Sequence, residues 1–201
     1  VRNRDNVGKA RDLLAKAGWT VQADGTLKNA DGKDFKLDIL LRQGSAENKA
    51  MTDIYVEALR RLGIAATVTT IDSAQYKQRE DEYNFDMTYF RRGLSLSPGN
   101  EQMLYWGSQG VTDPGSRNLM GMNSPAAEAM IDEILNAGSR DDFIAATRAL
   151  DRILTTGRYV IPIYQWNVSR IAHVKELHFP QALPIYGDWI GWQPDVWWYE
   201  E

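Results

Sequence analysis

Two hydrophobic periods alternate along this chain, and that alternation constrains its fold more than any other feature. Phe35, Leu37, Ile39 and Leu41 recur at every second residue, the period of a strand. Met51, Ile54, Tyr55, Ala58, Leu59 and Leu62 then follow the 3-4-3-4 spacing of a buried helix face, which predicts a helix over 46–62 ended by Gly63. Strand spacing resumes over 64–71, with Ile64, Ala66 and Val68 on one side. Upstream, Val7, Ala10, Leu13, Leu14 and Ala17 form one stripe of a helix over 6–17, with Gly18 as a left-handed stop. The turn-rich residues 23–25 and 29–32 read as a hairpin or paired loops. Ser73 is placed to cap a short helix running to Glu82, and 85–90 reads as a strand. Ser124-Pro125 opens another helix, with Ala127, Met130, Ile131, Ile134 and Leu135 facing inward and Gly138 at its end. Ser139 caps the next, in which Phe143, Ala146, Thr147, Leu150, Ile153 and Leu154 face inward as far as Gly157. Residues 159–164 and 167–172 read as strands. Such an order predicts an α/β domain with helices on the faces of a sheet.

Two stretches break the rhythm. Residues 91–123 are rich in Gly, Ser, Asn and Pro, interleaved with Tyr105 and Trp106. Connections of that length inside a domain are usually functional. About the last thirty residues carry Trp189, Trp192, Trp197 and Trp198 without a clear period. This tail is expected either to wrap the domain or to lie against a partner lobe.

Composition removes several function classes. With 201 residues the chain can bury one sizeable core. Cysteine is absent, which rules out disulfides and thiolate metal sites, and His173 and His178 are too few for a His-rich one. No metal or cofactor is therefore expected. A net charge of -4 argues against a nucleic-acid partner. No apolar run approaches the roughly 20 residues that span a bilayer. Residues 1–5 are polar and charged, so no signal peptide opens the chain, and an exported protein would here be without its leader. Neither a GxSxG elbow nor a P-loop occurs, so nothing supports Ser-His-Asp or phosphate-loop chemistry.

Short words in a fixed order carry a resemblance. They are Ala10-Arg11-Asp12-Leu13-Leu14-Ala15-Lys16-Ala17-Gly18-Trp19, Gly32-Lys33-Asp34-Phe35-Lys36-Leu37 and Leu59-Arg60-Arg61-Leu62-Gly63-Ile64. Phe85-Asp86-Met87 follows, then Asn118-Leu119-Met120-Gly121-Met122-Asn123-Ser124-Pro125, then Leu150-Asp151-Arg152-Ile153-Leu154 ahead of Ile161-Pro162-Ile163. In this order the chain resembles the second half of the extracellular solute-binding proteins of family 5, the oligopeptide and dipeptide receptors of ABC importers. Its runs Ser95-Leu96-Ser97-Pro98-Gly99-Asn100-Glu101, Tyr105-Trp106-Gly107-Ser108 and Pro114-Gly115-Ser116-Arg117-Asn118-Leu119, with the Trp-rich ending, are similar to the YejA-like branch.

The resemblance implies the C-terminal lobe of a type II periplasmic-binding-protein fold over residues 1–165. Residues 166–201 would then form a tail returning to an absent N-terminal lobe. It further implies a periplasmic protein that captures peptides or another small solute for a membrane permease and catalyses nothing. In such receptors the loop after the strand at 85–90 faces the ligand, and an Asp near the loop's Pro pairs with a peptide's amino terminus. Counting back from Pro98, the equivalent positions are Leu94 and Ser95, and the acid is missing. A buried ammonium without a partner is costly, so the expected ligand is N-blocked, or a long oligopeptide whose end lies elsewhere.

Candidate ligand-binding residues lie on that loop. Arg91 and Arg92 suit a ligand carboxylate, with Arg92 favoured. Ser95, Ser97 and Asn100 suit peptide backbone, although Ser-Pro-Gly-Asn is also ordinary turn chemistry. Tyr105 and Trp106 either wall a side-chain pocket or cover a sheet edge, and Asn118 either meets ligand or holds the loop. Three other readings stand beside the peptide receptor. The first is an oligosaccharide or other non-peptide receptor of the same fold, which the Trp content suits. The second is a glycoside hydrolase built on acids such as Glu101, Asp113 and Asp188, and the third is an interaction module using the Trp-rich tail. Self-association through the surface a lost lobe would cover is also expected.

Overall fold

The computed structural model of the chain describes residues 4–93, 97–165, 168–189 and 193–201. They form two units, Val1–Val160 and Ile161–Glu201.

The first unit is organised on a three-stranded parallel sheet. Strands β3 (Lys36–Arg42), β4 (Ala65–Ile71) and β5 (Met87–Thr88) lie in the order β4-β3-β5. Lys36 pairs with Ala65 and Ile39 with Met87, both ladders being parallel. Central β3 buries three consecutive residues, Ile39, Leu40 and Leu41, as expected of a parallel strand covered on both faces. Its neighbours are reached by helical crossovers, α2 (Ala46–Arg60) before β4 and α3 (Ser73–Asp81) before β5. The first crossover steps to one side of β3 and the second steps back across it. Right-handed crossovers therefore put α2 and α3 on opposite faces, and the carboxyl ends of β3 and β5 flank a topological switch point.

Around this sheet, α1 (Arg4–Lys16) leads into a small hairpin, β1 (Thr20–Val21) against β2 (Leu27–Lys28). Leu27, Leu59 and Ile64 make one buried cluster, with Leu14, Trp19, Phe35 and Tyr55 packed on it. Trp19 meets Phe35 edge to face at 4.6 Å between centroids. Ile54, expected on the inner face of α2, is 73% exposed. Leu59 is buried as expected, but Val56 is buried in place of Ile54, which lies about 200° around the helix from it at 3.6 residues per turn. Asp72, not Ser73, caps α3, because its carboxylate accepts from both Ala74 N and Gln75 N.

The segment after β5 is a folded platform. It contains α4 (Glu101–Trp106) and a 3-10 turn at Ser108–Val111. Helices α5 (Pro125–Leu135) and α6 (Arg140–Gly157) pack beside it, capped by Ser124 and Ser139 as the sequence predicts. A second cluster joins them through Trp106, Met122, Ala127, Ile131, Ile134, Ala146 and Leu150. Tyr83, at φ 53°, ties the platform to the end of α3. Its hydroxyl donates to Gly110 O at 2.5 Å and lies 2.6 Å from Ser116 Oγ.

The strand expected over 85–90 shortens to Met87–Thr88. Those expected over 159–164 and 167–172 are not strands: their described residues pair with no strand, although Val160, Ile161 and Ile163 are more than half exposed. Alternation alone does not make a strand, since its backbone N–H and C=O groups need a neighbouring strand. Residue 167 lies outside the described residues.

In the second unit, β6 (Leu177–His178) pairs antiparallel with β7 (Trp198–Tyr199), preceded by the short α7 (Gln193–Val196). Trp197 is buried between the rings of His173 and Phe179 and donates from Nε1 to Gly187 O at 2.9 Å. Trp192 lies outside the described residues. No described helix is long and apolar enough to cross a membrane.

Candidate functional site

The carboxyl ends of β3 and β5 are locked together by side chains. Thr88 Oγ1 donates to Leu40 O at 3.0 Å and lies 2.8 Å from Tyr76 Oη, which reaches over from α3. Leaving β5 at this switch point, the chain runs straight into Arg91 and Arg92. In open α/β sheets the crevice at such a point is where ligands bind.

Arg92 is half-buried, and its guanidinium carbon lies 3.2 Å from the centroid of the Tyr105 ring and 5.4 Å from that of Trp106. Arg117 approaches the same tyrosine at 5.7 Å from the ring centroid, with Nη1 3.5 Å from Tyr105 Oη. Two guanidinium groups thus share one electron-rich ring. Burial pushes Arg92 below its ordinary range, while Tyr105 and Glu101 act to hold its charge. Arg92 Nε and Nη2 are buried without a hydrogen-bond partner. Glu101 does not serve them. Both its oxygens accept from Gly99 N at 3.0 Å, and Oε1 also accepts from Gln102 Nε2 at 2.9 Å. Burial acts to raise the Glu101 carboxyl, but the Gln102 and Gly99 hydrogen bonds outweigh it and hold it below its ordinary range. A glycosidase acid needs the opposite shift.

The other sequence candidates divide. Arg91, Ser97 and Asn100 are exposed on the platform, and Asn100 occupies the N-cap of α4 without a side-chain capping bond. Leu94 and Ser95 lie outside the described residues. Tyr105 is half-buried beneath Arg92. Trp106 belongs to the core rather than to a pocket wall: it is 7% exposed and donates from Nε1 to Gln102 Oε1 at 3.1 Å. Asn118 is fully buried, with Nδ2 donating to Gly107 O at 3.0 Å and Met122 O at 2.8 Å while Oδ1 accepts from Met122 N at 2.9 Å. Its amide is spent inside the protein, where it closes the platform. Asp113 gives its carbonyl to Tyr83, and in the second unit Asp188 is bonded to Ser169.

Glu128, on α5, holds the platform from beside it and was passed over by sequence reasoning. Its Oε1 accepts from Ser108 N at 2.7 Å and Ser108 Oγ at 2.6 Å, and those two bonds hold its carboxyl below the usual range. Gln102 could have been found, because Asn100 followed by Glu101 is a helix-start signal inside the supposed loop. Glu128 had no such signal, since its partner is twenty residues away. Among the described residues no group of three or more His, Asp or Glu side chains could hold a metal ion.

Comparison with known proteins places this geometry. Residues 2–113 match the model for bacterial extracellular solute-binding proteins, family 5 Middle. The chain is 42% identical over 195 residues to the protein y4wM of Sinorhizobium fredii, covering 97% of this chain and 29% of that one. It is 36% identical over 197 residues to the probable peptide-binding protein YejA of Agrobacterium fabrum, covering 98% and 31%. It therefore spans about a third or less of the length of these curated relatives. Among solved structures it resembles the oligopeptide-binding protein AppA of Bacillus subtilis, determined with a nonapeptide. There the TM-score is 0.63 at 24% identity, covering 76% of this chain and 30% of that one. The fold is that of the type II periplasmic solute-binding proteins, whose members are binding proteins. With more than half of its length matched by the family model, the chain belongs to the bacterial extracellular solute-binding proteins of family 5.

Proposed function

We propose that this chain is part of the substrate-binding component of an ABC importer, which captures peptides in the periplasm and delivers them to a membrane permease. In this reading residues 1–165 are the C-terminal lobe of a two-lobed receptor and 166–201 return to the other lobe. The ligand lies on the platform face beside Arg91, Arg92, Ser97, Asn100 and Tyr105, with Ser95 on the same loop. The observation that carries the reading is the position of Arg92, stacked on Tyr105 at the switch point of the sheet in a family of solute receptors. The reading includes no catalytic step, in keeping with a family of binding proteins, and Glu101 is tied to Gly99 N rather than free to act as a glycosidase acid.

The preferred ligand is an N-blocked peptide or a long oligopeptide, since the positions that would supply an acid for a free amino terminus are Leu94 and Ser95. The experiment is a calorimetric titration of the intact protein with a peptide library that includes N-formylated members. Tight binding with a preference for blocked amino termini supports the reading. Strong preference for free-amine peptides overturns the ligand assignment, and binding of an oligosaccharide but no peptide overturns the substrate class.

A further inference from the structure

We infer that Tyr76, on α3, is a positioning residue for ligand binding: through Thr88 its hydroxyl sets the direction in which the chain leaves the sheet for the platform. The inference rests on the receptor reading above and adds to it a residue that need touch no ligand.

β5 is paired to β3 through two residues, Met87 with Ile39 and Thr88 with Leu40. A ladder that short carries few backbone hydrogen bonds and fixes the course of the chain weakly on its own. Side chains secure both of its ends. At the amino end Asp86 Oδ2 accepts from Asp38 N at 2.7 Å. At the carboxyl end Thr88 Oγ1 donates to Leu40 O at 3.0 Å. A hydroxyl has one proton, so in the 2.8 Å contact between Thr88 Oγ1 and Tyr76 Oη the tyrosine is the donor. Tyr89 O, one residue beyond the strand, lies 3.4 Å from the same phenol oxygen. Tyr76 and Thr88 are half-buried, where water competes less for these bonds than at an exposed site. Helix α3, strand β3 and the exit of β5 thus meet at one phenol.

Residues 89–92 follow at once. They carry Phe90, edge to face with the Tyr105 ring at 6.5 Å between centroids, and Arg92, whose guanidinium carbon lies 3.2 Å from the centroid of that ring. A shift at Thr88 therefore reaches both contacts by which this stretch joins the platform. Without the Tyr76 proton the stretch takes more directions in the free protein, and ligand has to select the competent one, so affinity falls by the fraction of time it is lost.

The test titrates the N-formylated and free-amine peptides of the library calorimetrically into intact wild type, Tyr76→Phe, Thr88→Val and Thr88→Ser, with thermal melts to keep every titration well below unfolding. Hydrogen exchange of the backbone amides of residues 89–92 is followed in the same proteins without peptide. Y76F and T88V are expected to bind about threefold to tenfold more weakly than wild type, the span of one hydrogen bond, and to exchange faster over 89–92. T88S keeps the hydroxyl and is expected to restore both. Lower melting temperatures with affinity unchanged overturn the inference: they make the pair a structural bond alone and leave the receptor reading intact. T88S binding as weakly as T88V overturns it too, since side-chain volume and not the hydroxyl would then be what matters. If no peptide binds wild type, the receptor reading falls and the positioning role with it. Should T88V not fold, Y76F against T88S still decides.

Discussion

Replacing Asn118 by Ala should cost stability rather than ligand affinity. The Asn118 amide makes three hydrogen bonds, all to backbone groups of Gly107 and Met122, and both of those residues are themselves buried. Truncation leaves Met122 O and Met122 N without a partner, at about 1–3 kcal/mol for each group that water cannot reach, while Gly107 O keeps the hydrogen bond from Gly110 N. A water molecule entering the vacated space recovers part of that, so the expected loss is about 2–4 kcal/mol. Total stability for a typical domain is about 5–15 kcal/mol, so the variant should unfold at markedly lower denaturant. Asn118→Asp is the sharper variant. It keeps the shape, but at neutral pH it is an acceptor only, facing two carbonyl oxygens, and it should lose at least as much. Urea unfolding of the intact protein followed by tryptophan fluorescence reads the change, with Trp106 in the same buried cluster as a local reporter. A loss below about 1 kcal/mol, the net worth of one ordinary hydrogen bond, would refute the reasoning. If affinity fell while stability held, Asn118 would be a ligand contact after all.

Three further outcomes follow from the same structure. Glu128, whose carboxyl the Ser108 hydroxyl and N–H hold below the ordinary 4.5, contributes stability that is fully present above that unfolded value and lost as pH falls through the lower folded one. The melting-temperature difference between wild type and Glu128→Gln should therefore shrink steadily as pH is lowered below 4.5 and be flat above it. Gly63→Ala should destabilise by about 2 kcal/mol or more in thermal unfolding, because its φ is +81° and the new Cβ would sit 2.6 Å from Gly25 O. Arg79→Met should cost about 1–3 kcal/mol in denaturant melts, through loss of the 2.7 Å bond to Asp38 Oδ2 and of the bonds to Asn84 O that anchor α3 to the sheet.

How much of this was legible in the residues varies with the range of the interaction involved. Helix caps at Ser124 and Ser139 act within three residues of themselves, and their spacing marks helix starts directly. Strands β3 and β4 and the four longer helices around them announce themselves by period. Arg92 stands out as a cation entering a polar loop, and the structure adds its stacking and its two orphan donors. Trp106 and Asn118 read equally well as ligand contacts or as framework. Only the tertiary structure, which surrounds one with α5 and α6 and spends the other's amide on Gly107 and Met122, assigns them to framework. Residues 159–164 have the composition of a strand but pair with none among the described residues.

The sequence by itself therefore determined which segments are helical, where they begin, and that the chain alternates strand and helix, because propensity, capping and amphipathic period act between residues a few positions apart. The tertiary structure alone decided that β5 crosses back beside β3, so that the chain leaves the sheet at a switch point. It decided that the long segment after β5 is a platform pinned by Tyr83, Glu128 and Asn118, and that Arg92 lies over the ring of Tyr105. Each of these depends on groups ten to fifty residues apart meeting at hydrogen-bonding or stacking distance, and local sequence pattern carries no record of that proximity.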